Sequence, residues 1–312
     1  MSNRSTVTEF LLRGFSDVRA LQVLHFVVFL MLYLAALMGN LLIISAIVLN
    51  RRLHTPMYFF LGNLSVLDLG SISATVPKSM VISLLNTRVI SYPACVAQVS
   101  LFVVFASTDL ALLTIMSYDR YVAICLPLHY ERVMNRRACV HMATGAWIAG
   151  IVYSALHTSS TFMLPFCQSN VIDQFFCDIP QLLKLACSDS YRIEIGVIAL
   201  SVFLVVNCFA FIQQLCLRLF QRQLDVPAAL QREPSVVNCF AFILVVSLLL
   251  FTAAFAYLKP PSSSDSNLDL VVGVLYAVVP PMVNPVVYSL RNQEIKAAMK
   301  KMMGCRFSSM NI

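Results

Sequence analysis

The sequence predicts an all-α integral membrane protein: a seven-transmembrane helix bundle with its N-terminus outside and a short amphipathic C-terminal helix on the inner leaflet. Three observations predict it. Of 312 residues, 59% are hydrophobic and only 12% charged, whereas soluble domains carry about 25% charged residues. Mean hydropathy is +0.80. Seven apolar stretches, at 23–49, 57–85, 96–125, 140–163, 194–217, 236–258 and 268–290, each reach the roughly 20 residues that a span requires. Disorder needs the opposite composition. Membrane β-strands would be shorter and alternating. Helices follow because lipid offers no partner to an exposed peptide group.

The expected organisation is an extracellular N-terminus over 1–22, a seven-span domain over 23–290 and a cytoplasmic tail over 291–312. Residues 1–20 carry Arg4, Glu9, Arg13, Asp17 and Arg19 and no apolar core, so the first span is expected to insert as its own anchor. With the N-terminus outside, 14 of the 22 basic residues fall on inner segments, which favours that orientation. The net charge of +7 is then a matter of loop topology, and no polar domain is present to read nucleic acid. Asn3-Arg4-Ser5 is a glycosylation sequon on the outer side. In the tail, Ile295, Met299 and Met302 recur at helical spacing beside Lys296, Lys300 and Lys301, which predicts an amphipathic helix against lipid.

Ten cysteines divide into two groups. Cys125, Cys139, Cys208, Cys216, Cys239 and Cys305 fall in or near inner halves of spans, where thiols stay reduced. Cys95, Cys167, Cys177 and Cys187 lie on the outer side, where disulfides persist; their number allows three pairings. No histidine lies among them to make a metal site.

Within the membrane, Asp68 and Asp109 stand out, because an intramembrane carboxylate marks a functional site by default. With Asn40 and Asn284 they form a ring for a cation or water, or a purely structural polar network; the sequence leaves both open. Asp119-Arg120-Tyr121 ends the third span, where the arginine can pair or snorkel. Asn284-Pro285-Val-Val-Tyr288 permits a kink in the seventh. On the third span Phe102, Ala106, Asp109, Leu113, Met116 and Arg120 share one helical face. This face reads as bundle core or, at its apolar outer end with Ser107 beside it, as a small ligand pocket above a polar switch.

Together these blocks resemble the rhodopsin-like G-protein-coupled receptors and, within them, the olfactory receptors. The resemblance rests on Gly39-Asn40, Leu53-His-Thr-Pro-Met-Tyr-Phe-Phe-Leu61 and Leu64-Ser-Val-Leu-Asp68. It continues through Met116-Ser-Tyr-Asp-Arg-Tyr-Val-Ala-Ile-Cys125, Pro127-Leu-His-Tyr130 and Pro280-Pro-Met-Val-Asn-Pro-Val-Val-Tyr-Ser-Leu-Arg-Asn292. It implies an odorant receptor in the plasma membrane that binds a small, mostly apolar volatile and activates a stimulatory G protein, raising cyclic AMP. It implies that Asp119, Arg120, Tyr121, Asn284, Pro285 and Tyr288 form the activation switch. Asn40, Asp68 and Asp109 would form an ion-linked polar core, with sodium the candidate ion. The implied disulfides are Cys95–Cys177 and Cys167–Cys187. Counting from the motifs, the ligand residues would be Phe102, Val103, Ala106, Ser107, Phe203, Asn207, Phe251, Phe255, Tyr257 and Val274.

The chain departs from the family at the inner ends of spans five and six. Where a basic run with a histidine opens span six in the family, this sequence reads Glu233-Pro-Ser-Val-Val-Asn-Cys-Phe-Ala-Phe242. Val-Val-Asn-Cys-Phe-Ala-Phe-Ile occurs twice, at 205–212 and 236–243, with no physical reason for the repetition. A folded but uncoupled, designed or degenerate receptor is therefore the alternative. A transporter or channel relaying through Asp68 and Asp109 ranks lower, since no inverted repeats are present. An enzyme is not expected, since neither a Ser/His pair nor a metal-ligand cluster is found.

Overall fold

The computed structural model describes residues 7–166, 169–187, 192–224, 247, 251, 254, 255, 266–291 and 294–299. Long helices dominate: α1 (Arg19–Leu49), α2 (Pro56–Leu85), α3 (Tyr92–Cys125), α5 (Arg136–Phe162) and α7 (Arg192–Leu224), with the short α4 (Tyr130–Val133) and α6 (Ile179–Leu185) between them. The last predicted stretch is divided into α8 (Ser266–Ala277) and α9 (Val279–Arg291). Six helical segments among the described residues are long and apolar enough to cross a membrane. The sixth predicted stretch, 236–258, lies outside the described residues except at 247, 251, 254 and 255, which are helical.

Local chemistry sets the helix ends. Pro56 and Pro93 sit in first turns, where a missing N–H costs nothing. Asn135 caps α5 by accepting from the Ala138 N–H at 2.9 Å. Asn86 closes α2 in the left-handed conformation, φ 53°.

Hydrophobicity does not separate inside from outside here. The outward faces of α1 and α7 carry Met31, Met38, Leu49, Val202, Phe203 and Leu217, as expected for surfaces that meet lipid. Close packing instead uses small residues. On α5, Ala143, Ala146, Gly150, Ser154, His157 and Thr161 are all buried along one stripe. At Gly150 a Cβ would overlap the Thr108 hydroxyl of α3, so glycine permits the α3–α5 approach.

The all-α expectation misses a small sheet. Strand β1 (Glu9–Leu12) lies between β2 (Val89–Ser91) and β3 (Val171–Ile172), antiparallel to the first and parallel to the second. Phe10 and Leu12 point inward and are fully buried, while Glu9 is exposed. The alternation is legible in Glu-Phe-Leu-Leu, but four residues before a long apolar helix carry little signal. The segment expected as an extracellular N-terminus is therefore tied to two loops.

The tail helix also differs from expectation. Residues 294–299 are helical, yet Ile295 and Ala298 are buried in the same core cluster as Leu53, Leu64, Leu113 and Met116. Its apolar side packs against the bundle. Glu294 accepts from the Tyr58 hydroxyl at 2.8 Å. Met302 and Cys305 lie outside the described residues.

Candidate functional site

A cavity of about 820 Å³ opens among α2, α3, α5, α7, α8, α9 and the loop before α6. Its lining descends from Cys177, Asp178 and Pro180 through Phe102, Val103, Ala106 and Ser107 to Asp68 and Asp109. Four of the ten predicted ligand residues therefore line it.

Five others do not. Phe203 is 64% exposed, and Asn207 turns its amide back to the Phe203 carbonyl at 2.7 Å. The α7 residues that line the cavity are Leu200, Leu204, Val205 and Cys208. The error is one of rotation: a shift of one residue on a helix turns the side chain by roughly 100°. Phe251 and Phe255 are exposed. Val274 packs with the cluster around Phe29, Phe175 and Phe176, whereas Tyr276, two residues on, lines the cavity. Tyr257 lies outside the described residues.

A roof made of residues 171–187 covers one end, and it is fastened at several points. Cys95 of α3 is disulfide-bonded to Cys177. The Cys177 N–H donates to Gln98 Oε1 at 2.8 Å, and Gln98 Nε2 donates to the Ala74 carbonyl of α2 at 2.8 Å. Gln174 Nε2 donates to the Asp269 carbonyl at 2.9 Å, Lys184 pairs with the Asp269 carboxylate at 3.4 Å, and the Tyr276 hydroxyl donates to Asp178. Burial raises the Asp178 carboxyl to about 6, against the lowering effect of the Tyr276 hydrogen bond. Phe175 and Phe176 are fully buried among Phe15, Phe29, Phe102 and Tyr276. Cys187 is disulfide-bonded, and its N–H donates to the Pro165 carbonyl at 2.9 Å. Cys167, its expected partner, lies outside the described residues, as does the Asn3 sequon.

The polar core sits at the cavity floor. Asn284 Nδ2 donates to both Asp68 oxygens at 3.1 and 3.2 Å, and Asp109 is the carboxyl neighbour of Asp68. Asn40 is fully buried and donates to the Ala36 and Pro281 carbonyls, each at 3.0 Å. The second bond has a direct cause. In a regular helix the Pro281 carbonyl would accept from the N–H of residue 285, but Pro285 has none; Asn40 supplies the missing donor. Gly39 lets the two helices meet, since a Cβ there would stand 3.0 Å from the Pro285 Cβ. Helix α9 runs through Pro285. The break in the last span falls instead at Val278, just ahead of Pro280-Pro281. Among the described residues, Asn40 Oδ1, Asp109 Oδ1 and Asn284 Oδ1 are buried acceptors with no partner. Bare oxygens around two carboxyls suit a hard cation or water.

At the end opposite the roof, Asp119 is fully buried and receives Arg120 through Nε at 2.9 Å and through Nη2. Tyr130 completes the set, donating its hydroxyl to Asp119 Oδ1 at 2.9 Å. Burial, reinforced by the Asp119 charge, pushes the Tyr130 phenol well above its ordinary range. The block Pro127-Leu-His-Tyr130 gives no sign of this role in the sequence. Tyr121 is half-buried against the core. Tyr288 lies on α9.

A sequence profile described as "Olfactory receptor" matches residues 29–306. The chain is 48% identical to human olfactory receptor 14C36 over 312 residues, all of both chains. It is 49% identical to human olfactory receptor 14I1 over 299 residues, 96% of each chain. It is 42% identical to mouse olfactory receptor 4E2 over 308 residues, 98% of this chain and 99% of that one.

Proposed function

Because this chain belongs to the olfactory receptor family, multi-pass membrane receptors that sense odorants, couple to G proteins and are not enzymes, we propose how its parts divide that task. The roofed end faces outward and Asp119-Arg120 inward, in the plasma membrane, with Asn3 available for glycosylation outside. The ligand is a small, mostly apolar volatile seated beside Phe102, Val103, Ala106 and Ser107. The observation that carries this reading is a single cavity running from the roof to the polar core: a guest beneath the roof reaches the groups that α2, α3 and α9 share.

Apolar burial contributes about 25 cal/mol per Å², so a small volatile binds at micromolar strength or weaker. Its preference for one arrangement of the bundle over another sets the response. Arg120 leaves Asp119 in the responsive state, and Asn284, Pro285 and Tyr288 rearrange with it. The partner is the stimulatory class of G protein, and cyclic AMP rises. Asn40, Asp68, Asp109 and Asn284 hold a sodium ion or its equivalent in water. The Cys167–Cys187 pairing belongs to the same reading, because the Phe166–Ala186 bridge brings the two segments together.

The test is a cyclic-AMP reporter in cells challenged with an odorant panel. A response that disappears in Arg120→Ala at equal surface expression supports the switch; one that survives removes it. For the ion, sodium should raise the melting temperature of the receptor and leave Asp68→Asn unmoved. Identical titrations of the two proteins would leave only a hydrogen-bonded network.

A further inference from the structure

One wall of the cavity carries a polar group that the receptor reading leaves unused. His157 of α5 lines the cavity and is only 4% exposed. Its Nε2 lies 2.6 Å from the Ser201 hydroxyl of α7. Ser201 has a single hydroxyl proton, and that proton is directed at the Val197 carbonyl at 2.7 Å. With that proton on Val197, the Ser201 oxygen is left to accept from His157, an arrangement that places the imidazole proton on Nε2. The other nitrogen, Nδ1, is then a lone-pair acceptor, and among the described residues it is buried with no partner. Tyr153 lies against the same imidazole, ring centroids 4.5 Å apart.

A buried acceptor without a partner has lost its water and gained nothing in return. The imidazole lines the cavity, so a guest whose donor reaches Nδ1 relieves that cost. Two hydroxyls of the lining have their protons committed elsewhere. Ser107 donates to the Val103 carbonyl at 2.6 Å, and Tyr276 donates to Asp178. No lysine or arginine is among the described lining residues, while Asp68, Asp109 and Asp178 are. Among those residues a carboxylate guest meets no countercharge. An aldehyde, ketone or ether brings only an acceptor to face an acceptor.

We infer that His157, held in one tautomer by Ser201, is the specificity anchor of the cavity and selects hydroxyl-bearing odorants, alcohols and phenols, over their ether and carbonyl analogues. The inference rests on the receptor reading and names the ligand class of the same cavity.

The test measures binding without coupling. Purified receptor in lipid nanodiscs is titrated with hexanol, octanol, benzyl alcohol and phenol, and with the methyl ether and aldehyde of matching skeleton, following thermal stability. Alcohols or phenols should bind about tenfold tighter than their matched analogues. That ratio should collapse towards one in His157→Phe and persist in His157→Asn, whose side-chain oxygen restores an acceptor near Nδ1. Ethers or aldehydes binding as well as the hydroxyl compounds would overturn the inference. So would a preference unchanged in His157→Phe, or no stabilisation by any hydroxyl compound. A receptor that binds alcohols with the expected ratio but raises no cyclic AMP breaks the coupling proposal and leaves this one standing. A cyclic-AMP response driven equally by ethers does the reverse.

Discussion

The two ends of the bundle are held together by different kinds of bond. At the roofed end a disulfide, a three-stranded sheet and a string of loop-to-helix hydrogen bonds connect β1, α2, α3 and α8. At the other end, beside apolar packing, the polar links are side-chain contacts such as Arg120 and Tyr130 on Asp119, and Tyr58 on Glu294. Covalent and backbone links do not exchange partners on the timescale of a response. Side-chain pairs do. The molecule is thus built to keep the ligand end in shape while the opposite end rearranges, and a ligand signal must pass through the polar core between them.

Four measurements break or sharpen this contrast, in descending size. Cys95→Ser removes the covalent link and should cost about 2–5 kcal/mol, seen as loss of folded receptor at the cell surface; near-normal expression would mean that the sheet and hydrogen bonds suffice. The second concerns pH. The Asp178 carboxyl titrates at about 6 when folded against roughly 3.9 when unfolded. A raised acid binds more protons folded than unfolded, so its effect on stability is least unfavourable below the unfolded value. It becomes progressively more unfavourable as pH rises through about 6. The melting temperature of the wild type should fall over that window more than that of Asp178→Asn, which keeps an acceptor for Tyr276. Equal slopes would place the titration elsewhere.

Third, Tyr130→Phe deletes one hydrogen bond to a buried carboxylate, about 1.5–3 kcal/mol gross. It should raise ligand-independent cyclic AMP rather than abolish expression; unchanged basal signalling would show that Arg120 alone holds Asp119. Last, Tyr58→Phe removes a contact to an exposed Glu294 and should cost under about 1 kcal/mol. A small rise in basal signal is expected, and a large drop in stability would give the tail helix a structural role beyond that bond.

The helices, their order and the buried polar residues were legible because lipid imposes length and makes a polar residue conspicuous. Asn40, Asp68, Asp109 and Asn284 are all buried. What failed was the facing of α7. In water the apolar stripe marks the interior; in lipid it marks the exterior, and α7 is apolar all round. Asn207 looked like its inward marker, yet it satisfies itself on the Phe203 carbonyl. Ser201 was the true marker, and only His157, 44 residues away in the chain, reveals it. The sheet and the roof escaped for a related reason: their partners are remote in sequence, and strands of two to four residues carry almost no periodicity. The motif glycine and asparagine at 39 and 40 were recognised as a pair, but their joint purpose needed Pro285 beside them.

That last arrangement limits how the seventh span can move. A proline usually leaves its helix a free joint, since one carbonyl has lost its tether. Here the tether has been transferred to a neighbour: the amide of Asn40 occupies the vacancy opposite Pro285. Turning the lower half of that span on its own would strand a donor and an acceptor in hydrocarbon. Spans one and seven must swing as coupled partners, and the joint opens only when another donor arrives to take the place of Asn40.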